Sequence, residues 1–167
     1  MAIDLFHKIL VPIDFSSCSD EAFRVALLIA KAFRSELIAL HVIDTSAVAA
    51  FNRLGLLAVP SDETKQRHRL RHYARLKMRQ LLASKSKEGI PVKRIVVEGA
   101  PFVEISKFAR HDQIDLIVLG SYGGRSENMD KIFFGTTAEK VVRTAGCPIL
   151  TIPLPAKKVS RDVGVGS

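Results

Sequence analysis

Two glycine clusters carry the most specific chemical signal in the chain. Gly120-Ser-Tyr-Gly123-Gly124 closes the apolar run Leu116-Ile-Val-Leu119, and Gly135-Thr136-Thr137 opens the helix-like run Ala138-Glu-Lys-Val-Val-Arg143, with eleven residues between Gly123 and Gly135. Glycine has no Cβ, so main-chain N–H groups can crowd an anion, and the first turn of a helix offers unpaired donors and a partial positive charge to the same anion. A strand, a glycine-rich loop and a new helix, in that order, read as a phosphate cradle. Thr136 is placed to cap the helix with its hydroxyl, and Glu139, three residues on, to reach back and complete a capping box. An ordinary capped helix after an ordinary loop would use the same residues, so the segment alone leaves both readings open.

The remaining reactive residue types form no comparable constellation. His7, His41, His68, His72 and His111 show neither a metal spacing nor a nucleophile–base pair and read as structural or exposed. Cys18 and Cys147 are far apart, with no CxxC or Cys/His cluster, which fits a reducing compartment and gives no metal site. No catalytic residue is assigned, and no base for hydrolysis is identifiable.

Charge is the second signal. The chain carries 25 Lys and Arg against 17 Asp and Glu, a net +8 and a pI near 9.8, which favours a polyanionic partner. Much of the excess lies between Thr64 and Lys87, where no acid occurs. The pattern predicts a basic helix from about Asp62 to Lys87, with Leu70, Ala74, Met78 and Leu81 packing inward and Arg67, Arg71, Arg75 and Arg79 forming a solvent-facing row. A solvated face explains such a row. Binding to nucleic acid or another polyanion is the alternative, and Tyr73 as the lone aromatic argues against single-strand stacking.

These features need a scaffold, and the pattern supplies one. Lys8–Ile13, Glu36–Val42, Val92–Glu98, Asp115–Leu119 and Gly146–Pro153 read as short apolar strands, the last bracketed by prolines as an edge strand would be. Between them lie helices: one after the caps Ser16, Ser17 and Ser19 with Ala22, Val25, Ala26, Ile29, Ala30 and Phe33 as its apolar stripe, then the basic helix. A third starts near Pro101 and buries Val103, Ile105, Phe108 and Ala109; the fourth opens at Gly135-Thr136. Ile43 to Pro60 is expected to hold a short helix or flap. Strands and helices alternate through the chain, so the fold expected is a doubly wound α/β sandwich around a parallel sheet, with ligands outside the carboxyl ends of the strands. One domain is expected over residues 1–153, with 154–167 as a flexible tail. No apolar run approaches the roughly 20 residues that span a bilayer and no signal-peptide pattern is present, so a soluble cytoplasmic protein is expected.

Lys8-Ile-Leu-Val-Pro-Ile-Asp14-Phe-Ser-Ser, His41-Val-Ile-Asp44, Glu98-Gly-Ala-Pro101, Asp115-Leu-Ile-Val-Leu-Gly-Ser-Tyr-Gly123 with Phe134-Gly-Thr-Thr137, and Cys147-Pro-Ile-Leu-Thr-Ile-Pro153 together resemble the universal stress protein family over roughly residues 7 to 153. The resemblance implies a five-stranded, Rossmann-like sheet of the adenine-nucleotide α-hydrolase kind. It implies an adenine nucleotide, ATP or else AMP or ADP, with Mg²⁺ or Mn²⁺ accompanying the phosphates. Carried over by position, Pro12, Asp14 and Val42 sit at the adenine and ribose end, while Gly120, Gly123, Gly135, Thr136 and Thr137 approach the phosphates. The ATP-binding branch spaces its second and third glycines by nine residues, so this loop is two longer. The resemblance further implies a homodimer paired through the terminal edge strand and a role as a stress-response sensor or adaptor. A nucleotide-free interaction protein is the alternative. The loop signatures of adenylating relatives, Ser-Gly-Gly-x-Asp-Ser or His-x-Gly-His, are absent.

Overall fold

The computed structural model describes residues 5–46, 63–85, 90–122 and 135–153. Gly123, most of the expected flap and the expected tail lie outside the described residues. Five parallel strands form one sheet: β1 (Lys8–Pro12), β2 (Glu36–Asp44), β3 (Val92–Gly99), β4 (Leu116–Gly120) and β5 (Ile149–Ile152), in the order β3-β2-β1-β4-β5. The helices are α1 (Ser17–Phe33), α2 (Glu63–Lys85), α3 (Pro101–His111) and α4 (Thr136–Thr144). The expected doubly wound α/β architecture is therefore observed, with β5 at an edge.

Near-continuous runs of β-branched and apolar residues make β1 and β4 suited to burial on both faces. Ile9, Val11 and Leu37 join Phe23, Leu27, Met78 and Leu82 of α1 and α2 in one core, while Leu10, Ile38, Leu40 and Ile117 join Ile105, Ala109, Ala138 and Val141 of α3 and α4 in the other. Two helices therefore cover each face. At the amino end, Asp115 Oδ2 accepts from the N–H groups of His7 and Lys8, both at 2.9 Å, tying the start of β4 to β1.

Three helical faces differ from the expected ones. In α1 the buried residues include Phe23 and Leu27, and Val25, Ile29 and Phe33 are only partly buried. In α3, Val103 is exposed and Ser106 is buried, its hydroxyl 2.7 Å from that of Thr144 on α4. In α2 the inward row is Ala74, Met78 and Leu82, and Leu70 is 46% exposed. Periodicity locates a stripe; which flank of it meets the sheet depends on the helix's rotation, which is set by packing partners distant in sequence.

Candidate functional site

The strand order reverses direction between β1 and β4, and in open α/β sheets ligands bind outside the carboxyl ends at that switch. A cleft of about 830 Å³ opens there. Its floor is the end of β1 (Pro12, Ile13, Asp14) and of β4 (Leu119, Gly120); one wall is β2, and the other is the start of α4. Pro12, Asp14, Val42, Gly120, Gly135, Thr136 and Thr137 all line it. The structure thus brings together seven of the eight residues picked from the sequence, the eighth, Gly123, lying outside the described residues.

The α4 end is built differently from the expected capping box. Gly135 is the N-cap, without a side-chain cap bond, and Thr136 is the first helical residue. Glu139 turns away to pair with Arg143 at 2.9 Å, and its N–H donates to the Gly135 carbonyl. A glycine cap leaves no side chain competing for the first-turn N–H groups, so donors and dipole face the cleft. The Ser121 carbonyl accepts from Gly135 N–H at 2.8 Å, and Ser121 N–H donates to Ile152 at 2.8 Å. The two feet of the glycine loop are therefore bonded to each other and to β5.

The β1 end carries Asp14 on a tight turn. Its Oδ1 accepts from the N–H and hydroxyl of Ser16, and Ser16 in turn caps α1 through its hydroxyl, 3.2 Å from Ser19 N. Asp14 is thus a turn acceptor that stays exposed at the cleft, and Ser16 is the cap. Phe15 between them adopts the left-handed region, φ 63°, which is unfavourable for a residue with a Cβ. Its ring packs on His41, centroids 4.5 Å apart.

Several cleft residues were not singled out from sequence. Asp44 lies two residues past Val42 and so on the same strand face, a period-two signal available in the sequence. Leu70 reaches the cleft from α2 instead of packing in the core. The nearby end of α2 is tied to β3 by Arg71, whose Nη2 lies 2.6 Å from Glu98 Oε1. His41 is mostly buried, with Nδ1 2.7 Å from the Ile13 carbonyl. Burial holds its pKa below the usual value, against the opposing pull of that carbonyl and of the Asp14 carboxylate. Away from the cleft, burial raises the pKa of the Cys147 thiol.

Among the described residues no group of three or more His, Cys, Asp or Glu is arranged to hold a metal, and no helix is long and apolar enough to cross a membrane.

The model of the universal stress protein family matches residues 5–153, which include every described part of the cleft. The chain belongs to the universal stress protein family. It is 32% identical over 160 residues to universal stress protein MJ0577 of Methanocaldococcus jannaschii, covering 89% of this chain and 95% of that one. To universal stress protein MJ0531 of the same organism it is 30% identical over 155 residues, 93% and 86% of the two chains. The solved structure of MJ0577 superposes with a TM-score of 0.71 at 30% identity, covering 92% and 99%. That of UspA from Lactobacillus plantarum gives 0.72 at 31%, covering 88% and 97%. Two more distant family structures, one in complex with cAMP and one from Archaeoglobus fulgidus in complex with dAMP, share the fold at TM-scores of 0.59.

Proposed function

We propose that the cleft binds an adenine nucleotide, ATP or its AMP and ADP counterparts, and that this universal stress protein acts as a nucleotide-dependent sensor or adaptor. The observation that carries the reading is the convergence of Asp14, Val42, Gly120, Gly135, Thr136 and Thr137, remote in sequence, on one cleft at the switch point. Donors gather at the α4 end and acceptors at the Asp14 end, which matches a molecule with an anionic tail and a hydroxyl-bearing sugar. Complexes of family members with cAMP and dAMP support the same ligand class. In this reading a divalent ion, Mg²⁺ or Mn²⁺, would accompany the phosphates, and the Thr136 and Thr137 hydroxyls at the start of α4 would be protein oxygens able to help hold it.

A homodimer paired through β5 belongs to the same proposal. Its support is the edge position of β5 and the exposed Leu150 on it; sedimentation of wild type against Leu150→Lys tests it. For the nucleotide, calorimetry should show heat on titrating ATP into wild type, weaker binding in Asp14→Ala, and none in Gly135→Val, whose branched side chain stands at the cap. Wild-type affinity in both variants would refute the site, and no heat in the folded wild type would favour a nucleotide-free interaction protein.

A further inference from the structure

The β1–β2 ladder ends at the cleft, where a side chain meets the next acceptor. Pro12 stands opposite Leu40, and Ile13 N–H donates to the Leu40 carbonyl at 2.8 Å. In a parallel pair the next rung would be Val42 N–H to the Ile13 carbonyl, followed by the Val42 carbonyl accepting from residue 15. The Ile13 carbonyl instead accepts from His41 Nδ1 at 2.7 Å. Phe15, which would supply the following donor, is turned out of extended geometry at φ 63° with its ring against His41. One imidazole thus occupies the acceptor and braces the residue that together would have continued the sheet. The Val42 N–H and carbonyl are left along the free edge of β2, where β2 walls the cleft.

We propose that His41 is a positioning residue: by taking the Ile13 carbonyl it keeps the Val42 main chain open, so that this peptide edge reads the base and favours a 6-aminopurine over a 6-oxopurine. The proposal rests on the nucleotide reading of the cleft. An open N–H beside an open carbonyl complements a ring nitrogen acceptor beside an amino donor, the pattern of adenine N1 and N6. Hypoxanthine presents the reverse, N1–H and a 6-oxo group, and leaves both Val42 groups mismatched. Burial favours the neutral ring, and the carbonyl bond places its proton on Nδ1.

The test separates donor from ring. In His41→Asn the amide nitrogen stands as many bonds from Cβ as Nδ1 and keeps the donor; His41→Phe keeps the ring against Phe15 and loses it, with His41→Leu as a second donorless variant should His41→Phe not fold. In the nucleotide-free protein, Val42 amide hydrogen exchange should be fast in wild type and His41→Asn. It should slow by about tenfold or more in the donorless variant, where the Ile13 carbonyl is released to accept it. A Val42 amide as protected in wild type as in the donorless variant overturns the proposal, whatever the cleft binds. In titrations, wild type and His41→Asn should prefer ATP to ITP by about tenfold or more, and the donorless variant by less than about threefold. Equal wild-type affinities, or a preference that survives without the donor, overturn the base-reading role and leave nucleotide binding standing. Binding of neither ATP nor ITP removes the nucleotide reading and base reading with it.

Discussion

Gly120 lets the first turn of α1 lie directly on the end of β4, and a single methyl group tests that approach. A Cβ at residue 120 would stand 3.0 Å from the Cys18 carbonyl carbon, 3.0 Å from Ser19 N and 3.1 Å from Cys18 O. All three are main-chain atoms that no rotamer change can move, so Gly120→Ala must push α1 from β4 by a few tenths of an ångström. Overpacking of this kind costs about 1–3 kcal/mol. At this chain length each kcal/mol lowers the melting temperature by ~2–4 °C, giving a loss of about 2–12 °C. The same displacement moves Ser16 and Ser19 against Asp14, so nucleotide affinity should fall as well. Gly146→Ala is the matched control: its nearest neighbour would be Arg110 Cγ at 3.7 Å, an ordinary contact, and its φ is not positive. It should change stability by less than about 0.5 kcal/mol. Calorimetric melts of the two variants decide the matter; a Gly120→Ala protein melting with Gly146→Ala would refute the reasoning.

Thr136→Ala should cost less than about 0.5 kcal/mol, because Thr136 is not the cap, where losing a true threonine cap costs about 1 kcal/mol; its melt should stay near wild type while its ATP affinity drops. Arg71→Ala removes an ion pair with Glu98 in which the arginine is half exposed, so the loss should stay under about 1 kcal/mol and shrink in high salt, measured by denaturant titration. The folded protein holds His41 below its unfolded pKa of 6.5, so the unfolded chain binds the extra proton first. The stability this neutral ring contributes is present above that pKa and lost as pH falls below it; melts between pH 7.5 and 5 should fall more steeply for wild type than for His41→Asn.

Alternation of apolar strands with amphipathic helices was enough to specify the sheet, its parallel sense and the end at which the cleft opens, because these follow from local period and the handedness of crossovers. Local chemistry was less legible. Thr136 and Glu139 make a capping box on paper, yet Gly135, pinned by the Ser121 carbonyl, takes the cap position and shifts the helix start by one residue. Leu70 sits in register with Ala74 and Met78, but it lines the cleft and stays half exposed instead of joining the core. His41 stood in one of the family-like motifs, but its contact could not be read there, since the Ile13 carbonyl it meets is 28 positions away.

The loop that departs from the family's spacing can be weighed against the geometry of its feet. Among the described residues, two extra residues reach the cleft through Gly120 and the start of α4. Both are fixed independently of the loop: Gly135 by its bond to Ser121, Ser121 by its bond to Ile152 on β5, and Gly120 by its pairing with Ile152 in the sheet. Lengthening the excursion from nine to eleven residues raises closure entropy by about 0.2 kcal/mol. One hydrogen bond at the base of the loop outweighs that, at about 1 kcal/mol. A two-residue insertion should therefore leave the helix-start donors in position, so a phosphate site built on them should survive a change that would disable one built from the loop's own main chain. Nucleotide affinity retained when two loop residues are deleted would agree with this, and a large gain on deletion would refute it.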